Sequence, residues 1–308
     1  MIKTKLKSTR DGFGEALVKL AKKEKKIVVV DADLKTSLRL VDFSQKYPER
    51  FIEVGVAEQN MMGVAAGLAM SGKIVFATSF ACFSPAINWN NIRISVCYNH
   101  ANVKIVGSHA GLATGPDGAS HQALEDISLM RVLPGMVILA PSDFDQAFAL
   151  TILAARHKGP VYLRLTRPTT AKIVADNKNL KIGGSQILRK GRRITFLSYG
   201  PVLAEVLKAA SKVDGEVINC YSLKPIDQET ILASCRRTGR VITIEDHSIF
   251  GGLGSAVAEI LIQSLPLPLR MIGIDDQFGE SSRDFLDLWE KHGLTSQKIA
   301  AVAGKMLR

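Results

Sequence analysis

Apolar residues in this 308-residue chain fall into short blocks that alternate with longer stretches of helical period. The blocks KIVVVDA, FIEVGV, KIVFATS, VKIVGS, MVILAP and VYLRL are rich in Val and Ile and nearly continuous, the pattern of strands buried on both faces. Between them, FGEALVKLAKKEKK, AEQNMMGVAAGLAMSG and DFDQAFALTILAARHK repeat apolar positions at the spacing of amphipathic helices. Strands joined by crossovers of that length build an open, mostly parallel sheet with helices on both faces. This unit is expected over residues 1–170.

The polar, Lys-rich stretch RPTTAKIVADNKNLKIGGS then reads as a linker, placed at 171–184. A second alternating series follows over 185–308. It runs RITFLSYG, PVLAEVLKAASKV, EVINCYS, DQETILASCRRTG, RVITIED, GGLGSAVAEILIQS and LRMIGI. The expectation is an α/β protein of two domains, each an open mostly parallel sheet with helices on both faces, the second domain smaller.

Composition changes this picture little. No apolar run reaches the ~18 residues of a membrane span, and MIKTKLKSTRDGFGEAL lacks the apolar core of a secretory signal, so no membrane association is expected. Four scattered cysteines without a CxxC read as reduced thiols and a cytoplasmic protein. The formal charge is +11, but KTKLK, KKEKK, RKGRR and CRRTGR are dispersed and not interleaved with aromatics. They read as solvated helix ends and loops, and no nucleic-acid partner is expected.

Ligands of open parallel sheets sit at the carboxyl ends of the strands. Asp33 and Ser37 follow the first strand, Glu58 the second, Phe80 and Phe83 the third, His109, Asp117 and His121 the fourth, and Arg167 the last of this unit. Glu58 opens an otherwise apolar helix, where the helix dipole alone favours a carboxylate; a desolvated carboxyl sharing a proton with a ligand is the alternative. Phe80 and Phe83 suit either ordinary core or a wall against a flat heterocycle. SHAGLATGPDGASHQ suits a metal poorly, because a Gly-Pro-Asp-Gly turn separates its ligands. It suits recognition of sugar hydroxyls, carbonyls or phosphates better. The chain has no Walker A, no GxGxxG after a strand and no Gly-Asp-Gly with a downstream Asn. A rim that can hold an aromatic ring but not a diphosphate is half a site, to be completed by another chain.

FIEVGVAEQNMMGVAAGLAMSGKIVFATSFACF, SHAGLATGPDGASHQALEDISLMRVLPGMVILAPSD and GPVYLRLTRP resemble the pyrimidine-binding domain of transketolases. VITIEDHSIFGGLGSAVAEIL resembles their C-terminal domain. The resemblance runs from about Arg10 to the end and implies the C-terminal subunit of a split transketolase. Such an enzyme transfers a two-carbon ketol unit between sugars through thiamine diphosphate, with the pentose phosphate pathway as one expected setting. Glu58 then matches the glutamate that bonds the aminopyrimidine, and Phe80 and Phe83 match aromatic residues packing on it; a third aromatic, common in the family, is Ala86 here.

By the same resemblance, Asp117 contacts a sugar hydroxyl and His121 lies near the reacting carbonyl. His109, Arg10, Ser37 and Arg167 hold the substrate phosphate, and Asp33 neighbours the cofactor or the chain interface. A partner subunit equivalent to the N-terminal half would hold the diphosphate and a divalent metal (Mg or Ca), in a tetramer with two copies of each chain (α2β2). Two alternatives stay open: a β subunit of a 2-oxo-acid dehydrogenase, which lacks the His-Asp-His loop in this form, and a non-catalytic α/β partner protein derived from such a subunit.

Overall fold

A computed structural model describes residues 6–308. The first five residues, where the expected unit 1–170 begins and most of KTKLK lies, fall outside the described residues. In the first half the elements are β1 (Lys7–Ser8), α1 (Thr9–Lys23), β2 (Ile27–Asp31), α2 (Val41–Lys46), β3 (Phe51–Glu53), α3 (Glu58–Met70) and β4 (Ile74–Phe80). There follow α4 (Trp89–Asn91) with a π-helical continuation over Ile92–Tyr98, β5 (Val103–Ser108), a 3₁₀ segment over Leu112–Asp117, α5 (Asp126–Arg131), β6 (Val137–Leu139), α6 (Phe144–Arg156), β7 (Val161–Arg164) and β8 (Thr169–Thr170). The second half contains β9 (Gln186–Arg189), β10 (Ile194–Ser198), α7 (Leu203–Ser211), β11 (Gly215–Asn219), β12 (Ser222–Lys224), α8 (Gln228–Thr238), β13 (Val241–Ser248), α9 (Leu253–Ser264), β14 (Leu269–Ile274), α10 (Phe285–Lys291) and α11 (Ser296–Met306).

The large sheet runs β12-β6-β7-β5-β4-β2-β3 and the second runs β14-β13-β10-β11-β9; all neighbours are parallel except the edge strands β12 and β9. Buried apolar side chains line both faces of the large sheet, Met61, Ala65 and Ile105 on one and Phe13, Leu17, Phe76 and Leu150 on the other. This is the two-domain, mostly parallel α/β architecture that the alternating pattern implies.

Local chemistry fixes the element ends. Ser8 and Asp11 form a reciprocal capping box on α1. α1 lies so close to α6 that a Cβ on Gly12 would run into the Phe144 carbonyl, and only glycine permits that approach. Asp143 caps α6 through one carboxylate oxygen, while the other accepts the amides of Ile173 and Val174 at 2.8 Å each. The Lys-rich stretch after Arg167 is therefore tied down, and its Thr169–Thr170 pairs with β1.

EVINCYS, which reads as one strand, is divided. β11 ends at Asn219, and the chain then crosses to the other sheet, where the Ala140 amide donates to Tyr221 O at 2.8 Å and β12 pairs with β6. The two halves also share a buried seam. Arg164 donates to both oxygens of Asp126 (2.9 and 3.3 Å) and to the Asp246 carbonyl (2.9 Å), with Tyr162 hydroxyl on Asp126 at 2.7 Å.

Candidate active site

Parallel β2, β4, β5 and β7 end on one rim, and most of the candidate residues meet there. α3 buries Glu58, Met61, Met62, Ala65 and Ala66, a helical spacing that turns the first carboxylate inward. Glu58 is only 6% exposed. Ser79 Oγ donates to its Oε1 at 2.9 Å, and Asn88, bonded in turn to Ser84, donates to its backbone carbonyl. Oε2 has no hydrogen bond within the described residues, so a buried carboxylate keeps one oxygen for a ligand.

Ser79 and Phe80 leave opposite faces of β4, as successive strand residues must. On Phe80's side, its ring stacks with Phe83 (centroids 6.0 Å apart, 17° between planes) and lies 3.9 Å from the His109 ring. The His121 ring meets Phe83 edge-on at 5.4 Å and Phe80 at 6.2 Å. Two phenylalanines and two histidines thus form one aromatic cluster at the strand ends.

His109 holds a left-handed backbone (φ 57), a costly conformation for a residue with a Cβ. Thr114 secures it by donating its hydroxyl to the His109 carbonyl at 2.5 Å. Arg10 Nη1 approaches His109 Nε2 at 3.3 Å, and Ser108 Oγ lies 3.0 Å from Nδ1. A guanidinium can only donate, so Nε2 carries the lone pair and Nδ1–H donates to Ser108. Burial foremost, then the charges of Arg10 and Arg167, push the His109 pKa down to about 2, which makes it a neutral imidazole.

Arg10 is 8% exposed and is tied by donors to the backbone carbonyls of Ser37 (2.7 Å) and Arg167 (3.0 Å). Burial and the neighbouring Arg39 lower its pKa to about 10, leaving the cation intact at neutral pH. Arg167 donates to Thr114 O at 2.6 Å and pairs with Asp117 Oδ1 at 3.3 Å. Ser37 contributes its carbonyl here. Asp33 stands apart: it is exposed, at φ 60, with its amide on Glu53, and makes no side-chain hydrogen bond or ion pair with the cluster.

The chain matches the family Transketolase, pyrimidine binding domain over residues 5–172 and Transketolase, C-terminal domain over 183–299. It belongs to the transketolase family. It is 44% identical to a putative transketolase C-terminal section from Methanocaldococcus jannaschii, over 96% of this chain and 94% of that protein. It is 42% identical to a 6-deoxy-6-sulfo-D-fructose transketolase subunit from Clostridium sp., over 96% and 92% of the respective chains. A solved structure described as a split gene transketolase, inactive beta4 tetramer, superposes with a TM-score of 0.90 at 44% identity, covering 97% of this chain and 98% of that one. This transketolase chain is thus similar over nearly its whole length to split-gene and C-terminal-section members of the family.

Several residues that support the candidate site escape sequence reading. Ser79, Asn88, Ser108 and Thr114 hold Glu58 and His109 in place, but such small polar residues are common near strand ends and carry no motif. Among the described residues no helix is long and apolar enough to cross a membrane.

Proposed function

We propose that this chain is the ring- and sugar-facing half of a two-carbon ketol transferase, completed by a subunit equivalent to the N-terminal half of transketolase. The single observation that carries this reading is that the strand ends of one rim carry both a buried carboxylate with an unbonded oxygen, held by Ser79, and, from the neighbouring Phe80 onward, a Phe–Phe–His–His cluster. These residues fit the aminopyrimidine of thiamine diphosphate: a flat ring can lie against Phe80 and Phe83 while Glu58 Oε2 meets a ring nitrogen. When bound, that cofactor supplies the electron sink for breaking and forming the carbon–carbon bond.

Glu58 would hold the ring through its unbonded oxygen. His121, anchored by Ser120 Oγ at 3.0 Å from Nδ1, presents Nε2 towards a sugar oxygen. Asp117 accepts from a sugar hydroxyl and discriminates its configuration. Arg10, His109 and Arg167, with Ser37 beside them, receive the anionic end of the sugar, for which fixed guanidinium donors are suited. Asp33, exposed at the rim, is assigned to the border with the partner. The diphosphate and its divalent metal belong on that partner, in an assembly with two copies of each subunit. The inactive beta4 tetramer of the similar split transketolase supports a half-site that is idle by itself.

The test mixes the purified chain with its partner, thiamine diphosphate and Mg, and assays ketose phosphates and 6-deoxy-6-sulfofructose with aldose acceptors. The mixture should transfer ketol units and the isolated chain should not. Full activity of the chain alone, or none from the mixture with any donor, would overturn the proposal.

A further inference from the structure

The loop carrying Asp117 and His121 belongs to the first half of the chain, yet part of what holds its conformation comes from the second. Asp246, buried at the rim end of β13, accepts the amides of Leu112 and Ala113 at 2.8 and 3.1 Å and the Trp289 indole N–H at 3.1 Å. The carboxylate lies so close to Gly111 (φ 83) that a Cβ there would collide with it. Gln122 reaches the same segment from the other side, donating to the carbonyls of Gly115 (3.3 Å) and Glu280 (2.9 Å). Gly118 (φ 75) lies against Ser281, whose hydroxyl a Cβ there would meet.

We propose that Asp246 is a positioning residue for sugar recognition: from the second domain it fixes the Leu112–Ala113 turn and thereby the placement of Asp117 and His121. The inference rests on the ketol-transfer reading. The path is short and continuous. Asp246 orients the two amides; Thr114, next in the chain, ties to the His109 carbonyl at 2.5 Å; Arg167 then bridges the Thr114 carbonyl (2.6 Å) and Asp117 (3.3 Å). Among the described residues Asp246 side-chain oxygens bond Leu112, Ala113 and Trp289, and none of them bonds Glu58. A loosened loop should therefore weaken sugar binding and spare the ring-binding half. An Asn at 246 keeps the shape but turns one acceptor into a donor facing N–H groups, the loss of charge-assisted bonds that individually matter most.

The experiment uses the chain assembled with its partner. Asp246→Asn should raise KM for the ketose and the aldose about tenfold, with kcat and thiamine diphosphate affinity within about twofold, in line with the loss of one charge-assisted bond. Amides of residues 111–118 should exchange hydrogen at least about tenfold faster. Trp289→Phe, which removes one donor and leaves the carboxylate, should move both readouts the same way by a smaller factor. Ile299→Val, a core trim in the same domain, should move neither.

An unchanged loop exchange rate in Asp246→Asn, equal effects from Ile299→Val, or a loss of cofactor affinity matching the rise in KM would overturn the proposal. If the wild-type assembly transfers no ketol unit, the functional reading falls; the exchange rates then judge whether Asp246 holds the loop.

Discussion

His109 sits where its neighbours oppose its protonation. It is buried against Phe80, and Arg10, Arg167, His121 and Arg39 all disfavour a second positive charge, holding its pKa at about 2 against an ordinary 6.5. The unfolded chain has no such constraint and binds a proton near 6.5. Between those values the unfolded state holds one proton more than the folded state, so stability falls as pH drops, by ~1.4 kcal/mol per unit. From pH 7.5 to pH 5 that is about 2 kcal/mol. The raw pH profile will not show this alone. His247, lowered to about 4 by burial, adds in the same direction. Glu245, raised to about 7, and Asp31, raised to about 6, both by burial, act oppositely, since the folded state then holds the extra proton as pH falls.

The informative quantity is the difference between the wild type and His109→Gln. Glutamine cannot titrate, and its Oε1 can accept from Arg10 where Nε2 now does. It loses the ring contact with Phe80, whose centroid lies 3.9 Å away, a pH-independent offset of about 1 kcal/mol. Urea unfolding of both proteins from pH 5 to 7.5 should show the wild type losing about 2 kcal/mol relative to the variant. The ¹⁵N spectrum should show a neutral ring protonated on Nδ1 throughout. A difference that stays flat with pH, or a His109 resonance titrating near its ordinary value, would refute the reasoning.

Glu58→Gln should lower turnover of the assembled enzyme by about 10²–10⁴-fold, the range for a lost proton-sharing group, while thermal denaturation stays close to wild type; turnover within threefold of wild type would remove Glu58 from its role. Arg10→Lys keeps a charge but cannot span the Ser37 and Arg167 carbonyls. Steady-state kinetics should show KM for ketose phosphates rising about tenfold and KM for uncharged ketoses little changed. Arg164→Met strands the buried Asp126 carboxylate and should destabilise the chain by about 3–5 kcal/mol in urea unfolding, with Arg164→Met/Asp126→Leu recovering most of it; a single-variant loss under about 1 kcal/mol would contradict this.

The strands of the large sheet were legible because fully buried parallel strands are nearly continuous apolar runs, and the rim followed because such strands end on one side. The segment from Trp89 to Tyr98 was not legible. Its Ile92–Tyr98 stretch makes i→i+5 bonds, so a search at the α-helical period passes over it. The break in EVINCYS was hidden because both halves of the strand are buried, one in each sheet. The candidate residues themselves could be read from residue type and position after each strand. Their supports could not. Asp246 lies 133 and 134 residues from the amides it binds, and nothing local in EDHS distinguishes a loop clasp from any buried acid.

That division has a physical reason. A glycine-rich loop can approach a sugar closely, but fixing each backbone residue opposes order by ~1–2 kcal/mol. Gly111, Gly115 and Gly118, all at positive φ, make the loop from His109 to His121 especially free when unbound. If the sugar had to order that segment, much of its binding energy would be consumed before any discrimination between donors. Bonds from Asp246, Gln122, Thr114 and Arg167 place the loop beforehand. The second domain thus contributes to specificity without touching substrate. Any relative whose loop sequence matches this one but whose β13 lacks an acceptor at the Asp246 position should bind its sugars more weakly and discriminate among them less.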